Sequence, residues 1–319
     1  MPSRWKVLVS APYMLPCMHR FSAWFEEHDI EPVIPAVQER LEAEELMGLV
    51  GDIDGVICGD DRFTAAVLEK APKLKVISKW GTGIDSIDSA AADRLGILVC
   101  RTPGAFTQPV ADSVLGYVLA FARGIPWATE DMRNGRWFKR PGRALNECVL
   151  GVVGVGDIGS AVCERARSFG MTVLGYDIKK LDVRWCENVG VRGAILPELL
   201  EQSDFVSLNC DLNPTSYHLM GQREFALMRP TAVVINTARG PIIEEAALVR
   251  ALEGGKIGGA ALDVFEHEPL SDHSPLRRMD NVLLAAHNAN SSPAAWEHVH
   301  ENTLKNLYKG LTAARRSHA

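Results

Sequence analysis

The sequence predicts an α/β protein of parallel sheets wrapped by helices and divided into two domains. Three observations lead there. Short apolar or β-branched runs alternate with helical stretches along the whole chain, and strand–helix–strand repetition of this kind builds parallel sheets. A buried strand flows into a glycine-rich turn and a helix only from residue 148 onward, so the long α/β stretch before it needs a core of its own. Finally, 319 residues with 47% hydrophobic content exceed the ~250–300 residues at which single cores stop growing, and two lobes with a cleft are the expectation.

The elements follow in order. Strands are expected at 7–10, 55–58 and 76–78, and then at 148–153, 172–176, 205–209, 232–236, 259–262 and 282–285, each bounded by turn or cap residues. The later set reads as one doubly wound sheet. Residues 109–123 are apolar nearly all round (Val110, Val114, Leu115, Tyr117, Val118, Leu119, Phe121), which places this helix in a central core or a subunit interface. Trp127, Trp137 and Phe138 stand among charged residues and favour an interface. From Pro293 to Leu311, Trp296, Val299, Leu304, Leu307 and Leu311 recur at helical spacing and predict a packed terminal helix, followed by a frayed basic end from Arg315 to Ala319.

Composition excludes several classes. A net charge of −6 with dispersed Lys and Arg argues against nucleic acid. The 7 cysteines lie apart, without a CxxC pair or a His at zinc-ligand spacing, so a reduced compartment and no metal are expected. No run approaches the ~18 apolar residues of a membrane span, and Met1-Pro2-Ser3-Arg4-Trp5 leads straight into a strand without a signal-peptide core; a cytoplasmic protein is expected.

The run Gly154-Val155-Gly156-Asp157-Ile158-Gly159 carries the first chemistry. After a strand and before a helix, Gly154 permits the tight turn, Gly156 lets the backbone approach a pyrophosphate, and Gly159 allows close helix–strand contact. The N–H groups at the helix start, at Asp157 and Ile158, would receive the phosphate charge. Such a motif alone is weak, but Asp177 ends the next strand about 20 residues on, where an acid binds the ribose hydroxyls of NAD and repels the extra phosphate of NADP. Lys179 and Lys180 follow closely and leave room for some NADP tolerance.

Three further segments each sit just beyond an expected strand: Asn236-Thr237-Ala238-Arg239-Gly240, Leu262-Asp263-Val264-Phe265-Glu266-His267-Glu268-Pro269, and Ala285-Ala286-His287. Singly, each has an ordinary explanation: a surface Arg, a turn Glu, a capping His. Together with Gly154 to Gly159 and Trp80-Gly81-Thr82-Gly83-Ile84-Asp85, they resemble the D-2-hydroxyacid dehydrogenase family over nearly the whole chain.

That resemblance implies a catalytic triad of Arg239, Glu268 and His287. His287 would be the acid/base, since imidazole titrates in the right range. Glu268 would hold the ring and favour its protonated form, and Arg239 would offer a planar fork to the substrate carboxylate. The resemblance also implies that the backbone at Thr82 and Gly83 binds that carboxylate. Asn209, Cys210, Pro214 and Thr215 would edge the nicotinamide; Thr237, Ala238, Arg239 and His287 would pass near the cofactor; and Asp263 would approach the carboxamide. His267 and His273, competitors for the base role, are expected to be solvated.

The implied architecture is two doubly wound parallel-sheet domains, a Rossmann-type NAD-binding domain at 102–289 inserted in a flavodoxin-like substrate domain at 1–101 plus 290–319. The hinges fall at Arg101-Thr102-Pro103-Gly104 and at 288–293, and the helix after the first hinge implies a twofold homodimer. Several positions depart from the commoner family pattern: His287-Asn288-Ala289-Asn290-Ser291-Ser292 after the catalytic His, Phe106 where Asn is frequent, and Asp112 where Glu is frequent.

Lys79 through Asp85 most resemble phosphoglycerate dehydrogenases, without an added regulatory domain. The resemblance therefore implies a small D-2-hydroxy or 2-oxo acid as substrate: 3-phosphoglycerate, with Lys79 and Arg62 as candidate phosphate cations weakened by Asp60 and Asp61, or the alternative, glyoxylate or hydroxypyruvate. Formate and phosphite dehydrogenases share the fold, but His287 lacks a preceding Gln, which speaks against formate. From another class, an NAD-sensing corepressor would need a partner-binding patch that no motif suggests.

Overall fold

The computed structural model describes residues 4–316. The chain divides into two compact units, Met1–Phe106 with Ser292–Ala319, and Thr107–Ser291. Residues 102–106, expected with the cofactor domain, belong to the first unit: the Thr102 N–H donates to Gly81 O at 2.8 Å, and Phe106 packs on Trp80 with ring centres 5.7 Å apart. Residues 290 and 291, expected with the substrate domain, belong to the second, where the Ser291 N–H donates to Asn288 O.

The first unit holds five parallel strands, β1 (Trp5–Val9), β2 (Ile30–Val33), β3 (Gly55–Cys58), β4 (Val76–Lys79) and β5 (Leu98–Cys100). Their order, β2-β1-β3-β4-β5, is that of flavodoxin-like sheets. The central strands are buried throughout, as near-continuous apolar runs demand when helices cover both faces. Leu8, Val56, Ile77, Phe63 and Leu68 lead the core on one face. On the other lies the terminal helix Pro293–Arg316, which packs on β3, β4 and β5 and buries Val299, Leu304, Leu307 and Leu311. The helix takes in Arg315 and Arg316, expected to be frayed; Ser317 to Ala319, like Met1 to Ser3, lie outside the described residues.

The second unit holds seven parallel strands, β6 (Val149–Val153), β7 (Thr172–Tyr176), β8 (Val191–Gly193), β9 (Phe205–Leu208), β10 (Val233–Asn236), β11 (Gly259–Leu262) and β12 (Val282–Leu284). The order β12-β11-β10-β9-β6-β7-β8 reverses between β6 and β9, the switch point where open α/β sheets bind ligands. One face is covered by the helices Thr107–Arg123 and Asp157–Ser168, the other by Leu196–Gln202, Gln222–Leu227 and Glu245–Glu253.

The apolar Thr107–Arg123 helix thus belongs to this unit's core. Val114 and Val118 are fully buried within it. Trp127 is likewise accounted for inside the chain, packing at a tilt against Phe121 and donating its indole N–H to Asp280 O. Trp137 and Phe138 are different, at 91% and 62% exposed. Among the described residues no helix is long and apolar enough to cross a membrane.

Candidate active site

The glycine turn follows β6. Gly154 has φ +85°, and a Cβ there would stand 2.5 Å from Cys210 N; at Gly159 it would stand 1.9 Å from Gly154 O. Any side chain would push the turn off the sheet or the helix off the turn. At Gly156, by contrast, a Cβ meets nothing within 4 Å, so the turn faces open space there. Gly156 caps the helix Asp157–Ser168, whose first N–H groups lack intrahelical partners and favour an anion.

Asp177 closes the cradle on the side of β7. One carboxylate oxygen accepts the Val155 N–H at 2.8 Å and the other the Lys179 N–H at 2.9 Å. A carboxylate has about four lone-pair sites, so capacity remains for a diol. Beyond β10, Thr237 Oγ1 is buried with no hydrogen-bond partner among the described residues. A buried hydroxyl left unmet is one that a bound polar group could satisfy. The turn, the helix end, Asp177 and Thr237 together fit a dinucleotide.

Asn209 and Cys210 follow β9, beside the same turn. The Asn209 side chain bonds Ser207, and burial pushes the Cys210 thiol up to about 11, keeping it neutral. Pro214 and Thr215 lie on the exposed loop beyond, where Asn213 Oδ1 accepts from Thr215.

The three expected catalytic residues all lie in the second unit, on loops at the carboxyl ends of β10, β11 and β12. Buried Asn236 shapes the first: its Oδ1 accepts the Ala238 N–H, and its Nδ2 donates to Arg239 O. Arg239 is half-buried and donates to Ala238 O. His287 Nδ1 lies 3.1 Å from Glu268 Oε2, while Glu268 Oε1 accepts the Phe265 N–H at 2.9 Å. Both side chains are about one-fifth exposed, 21% and 19%. The Glu268 contact gives Nδ1 the proton and leaves Nε2 for a reacting oxygen. His267 and His273 are exposed, as expected.

His287 itself has φ +49°, a left-handed conformation costly for a residue with a Cβ. Asp263 accounts for its persistence. The carboxylate, 1% exposed, accepts the Asn288 N–H and the Ala289 N–H at 2.8 Å each, and Asp263 O accepts the His287 N–H at 2.7 Å. Burial pushes the Asp263 carboxyl upward, against the pull of the two N–H groups. Asp263, expected to approach the nicotinamide carboxamide, anchors the His287 turn.

A second imidazole–carboxylate pair escaped the sequence reading. His218 Nε2 lies 2.7 Å from Glu266 Oε1, and Glu266 Oε2 accepts the Glu245 N–H at 3.0 Å. Burial pushes the Glu266 carboxyl up, but these bonds outweigh it and hold it below the usual range. The pair secures the 263–269 loop. The separation of 48 positions between its members leaves no local pattern to read.

In the first unit, the N–H groups of Thr82 and Gly83 make no hydrogen bond among the described residues, while Thr82 Oγ1 donates to Thr102 O at 3.1 Å. Lys79 does not fit its expected role as a substrate cation. It is 3% exposed, with Nζ 2.6 Å from Gly59 O and 2.7 Å from Asp60 Oδ1, because it ends a buried strand and must find its partners there.

A family model for the NAD-binding domain of D-isomer-specific 2-hydroxyacid dehydrogenases matches residues 115–289. The chain belongs to that family. It is similar to a glyoxylate reductase of Thermofilum pendens, 41% identical over 274 residues that cover 83% of this chain and 80% of that one. It is also 41% identical, over 259 residues, to a D-3-phosphoglycerate dehydrogenase of Methanocaldococcus jannaschii, covering 80% of this chain and 49% of that one. Among solved structures, the TT0316 protein of Thermus thermophilus superposes with a TM-score of 0.84 at 32% identity, covering 97% of each chain.

As a member of this family, the enzyme is an NAD-dependent oxidoreductase that moves a hydride between nicotinamide and a small 2-hydroxy or 2-oxo acid. When bound, NADH supplies that hydride.

Proposed function

We propose that this dehydrogenase reduces a small unphosphorylated 2-oxo acid, of the glyoxylate or hydroxypyruvate kind, to the 2-hydroxy acid. One observation carries the reading: the Lys79 ammonium is buried and already paired with Asp60, so the first unit's best-placed cation is not available to a phosphate. The likeness to glyoxylate reductases supports it. His287 gives its Nε2 proton to the carbonyl oxygen as hydride reaches the adjacent carbon, with Glu268 stabilising the imidazolium. Arg239 holds the carboxylate and polarises the carbonyl, and the N–H groups of Thr82 and Gly83 also bind the carboxylate.

The open face at Gly156, the helix end at Asp157 and Ile158, and Asp177 hold NAD; Asn209, Cys210, Pro214, Thr215, Thr237 and Ala238 edge it. A twofold dimer, to which exposed Trp137 and Phe138 contribute, and a reducing cytoplasmic setting suited to the free cysteines complete the proposal.

Steady-state assays with NADH test the substrate class. The kcat/KM for glyoxylate or hydroxypyruvate should exceed that for 3-phosphohydroxypyruvate by at least about tenfold, roughly the 1.4 kcal/mol equivalent of one modest contact. Preference for the phosphorylated acid would overturn it.

A further inference from the structure

Outside the catalytic loops, the first unit contains a buried imidazole that the reaction does not use. His300, on the terminal helix, is 3% exposed. Its Nδ1 accepts the Trp80 indole N–H at 3.0 Å, so in this arrangement the ring proton resides on Nε2, which faces Cys17 Sγ at 3.6 Å; the Cys17 thiol in turn donates to Met14 O. Trp80 is itself 3% exposed and wedged between Tyr13 and Phe106, with ring centres 5.3 and 5.7 Å away. The next three residues along the chain are Gly81, Thr82 and Gly83.

The loop is tied down on its other side by three bonds: Thr102 N–H to Gly81 O, Thr82 Oγ1 to Thr102 O, and Arg101 to Thr82 O. On the strand side Trp80 is tied twice, by its backbone N–H to Cys58 O at 2.8 Å and by its indole N–H to His300; only the second involves a group that titrates. We propose that His300 is a positioning residue for substrate binding: its bond to Trp80 holds the 81–83 loop in the geometry that receives the carboxylate, and protonation of the ring releases it. This rests on the reading that Thr82 and Gly83 bind the carboxylate.

The chemistry of release is simple. A proton from solvent can enter only at Nδ1, after which both ring nitrogens are donors and Nδ1–H confronts the indole N–H. Two donors cannot bond, and the latch opens. The titratable groups around the ring are Cys17 and Arg20 on the Leu15–Phe21 segment and Glu297 on its own helix; Trp80 to Gly83 bring none. Burial holds the His300 pKa below the usual imidazole value, while Glu297 and Arg20, paired bidentately at 2.7 Å, act on it in opposite directions. The latch is therefore closed at neutral pH and opens on the acid side.

The test pairs ¹⁵N-indole NMR, with the Trp80 resonance assigned through Trp80→Phe, with the KM for the 2-oxo acid across pH in the full-length enzyme. His300→Asn places an amide oxygen where Nδ1 stands and does not titrate. In the wild type, the Trp80 resonance should move as pH falls below the ordinary imidazole range, and KM should rise together with it by roughly tenfold, on the scale of one proton per pH unit. His300→Asn should hold both constant. His300→Ala should raise KM several-fold at neutral pH, to about the wild type's acid value, and leave it insensitive to pH, while kcat and NADH affinity stay within about twofold.

A wild-type resonance that does not move, or an acid rise in KM that persists in His300→Asn, overturns the proposal. A resonance that moves while KM stays flat overturns the latch's role in substrate binding. Absence of turnover with every 2-oxo acid overturns the functional reading instead, and the indole titration still decides whether the latch exists.

Discussion

His287 Nδ1 stands 3.1 Å from Glu268 Oε2, and the second oxygen of that carboxylate is held by the Phe265 N–H. The carboxylate is therefore oriented before substrate arrives. Replacing His287 with Ala should lower kcat by roughly 10²–10⁴-fold with NADH affinity nearly intact, the usual contribution of general acid–base catalysis. Glu268→Gln keeps a hydrogen-bonding side chain but removes the charge, so the imidazole should lose its proton at lower pH. Reduction needs the protonated ring; its pH limit should move down, and activity at mildly alkaline pH should suffer most. An unmoved pH profile in this variant would remove Glu268 from the relay.

Asp263 makes a second demand. Converting it to Asn replaces one acceptor with an NH₂ that confronts a backbone N–H, at a cost of about 1–3 kcal/mol for the unmet donor. Because His287 needs that anchor to keep its left-handed backbone, kcat should fall along with Tm. Wild-type kcat with a lowered Tm would limit Asp263 to a packing role.

Cofactor choice should follow Asp177. NADH should be preferred over NADPH, and Asp177→Ala should narrow the ratio of kcat/KM values by removing the charge that repels a 2′-phosphate. Equal values for the two cofactors in the wild type would show that Asp177, held by Val155 and Lys179, does not face the ribose.

Assembly is best probed at Trp137. Val114 and Val118 lie in the core of their own unit, so charges there would unfold it rather than report on association. Trp137→Asp should leave Tm of the monomer largely unchanged and weaken a dimer in sedimentation velocity. A wild-type monomer at micromolar concentration would remove the interface.

Acid stability should depend on Asp204. Its carboxylate, 6% exposed, accepts from Arg143 at 2.7 Å, from the Val149 N–H at 2.8 Å and from Arg229 at 3.2 Å. Burial pushes its pKa up, but these donors hold it below the ordinary value. A carboxyl depressed in the folded state stabilises it above the unfolded pKa, and that stability is lost as pH falls through the folded value. Asp204→Asn should therefore have a lower Tm at neutral pH and lose less of it between about pH 5 and pH 3, a comparison that thermal melts across pH make directly.

What the sequence made legible depended on locality. β6, β7, β10 and β11 were visible because both faces are buried and each ends in a turn with its own chemistry. β2, β5 and β8 were not singled out: they are short edge strands, half exposed, and their composition resembles that of loops. Arg239, Glu268 and His287 lie in dense local motifs; His218–Glu266 and Trp80–His300 join residues 48 and 220 apart, and only the fold pairs them. Trp127 misled because a residue's charged neighbours in sequence say nothing of Asp280, 153 positions away.

The relay residues and the dinucleotide cradle occupy one unit, while the 81–83 loop, Lys79 and His300 occupy the other. Inheritance can act on the two separately. If the 81–83 loop receives the substrate, change in the first unit should alter which acid is accepted while leaving the redox machinery in place, whereas the 263–269 loop, which supplies both Glu268 and the anchor for His287, should tolerate less change. Substrate preference should thus diverge faster than cofactor chemistry among descendants of this chain.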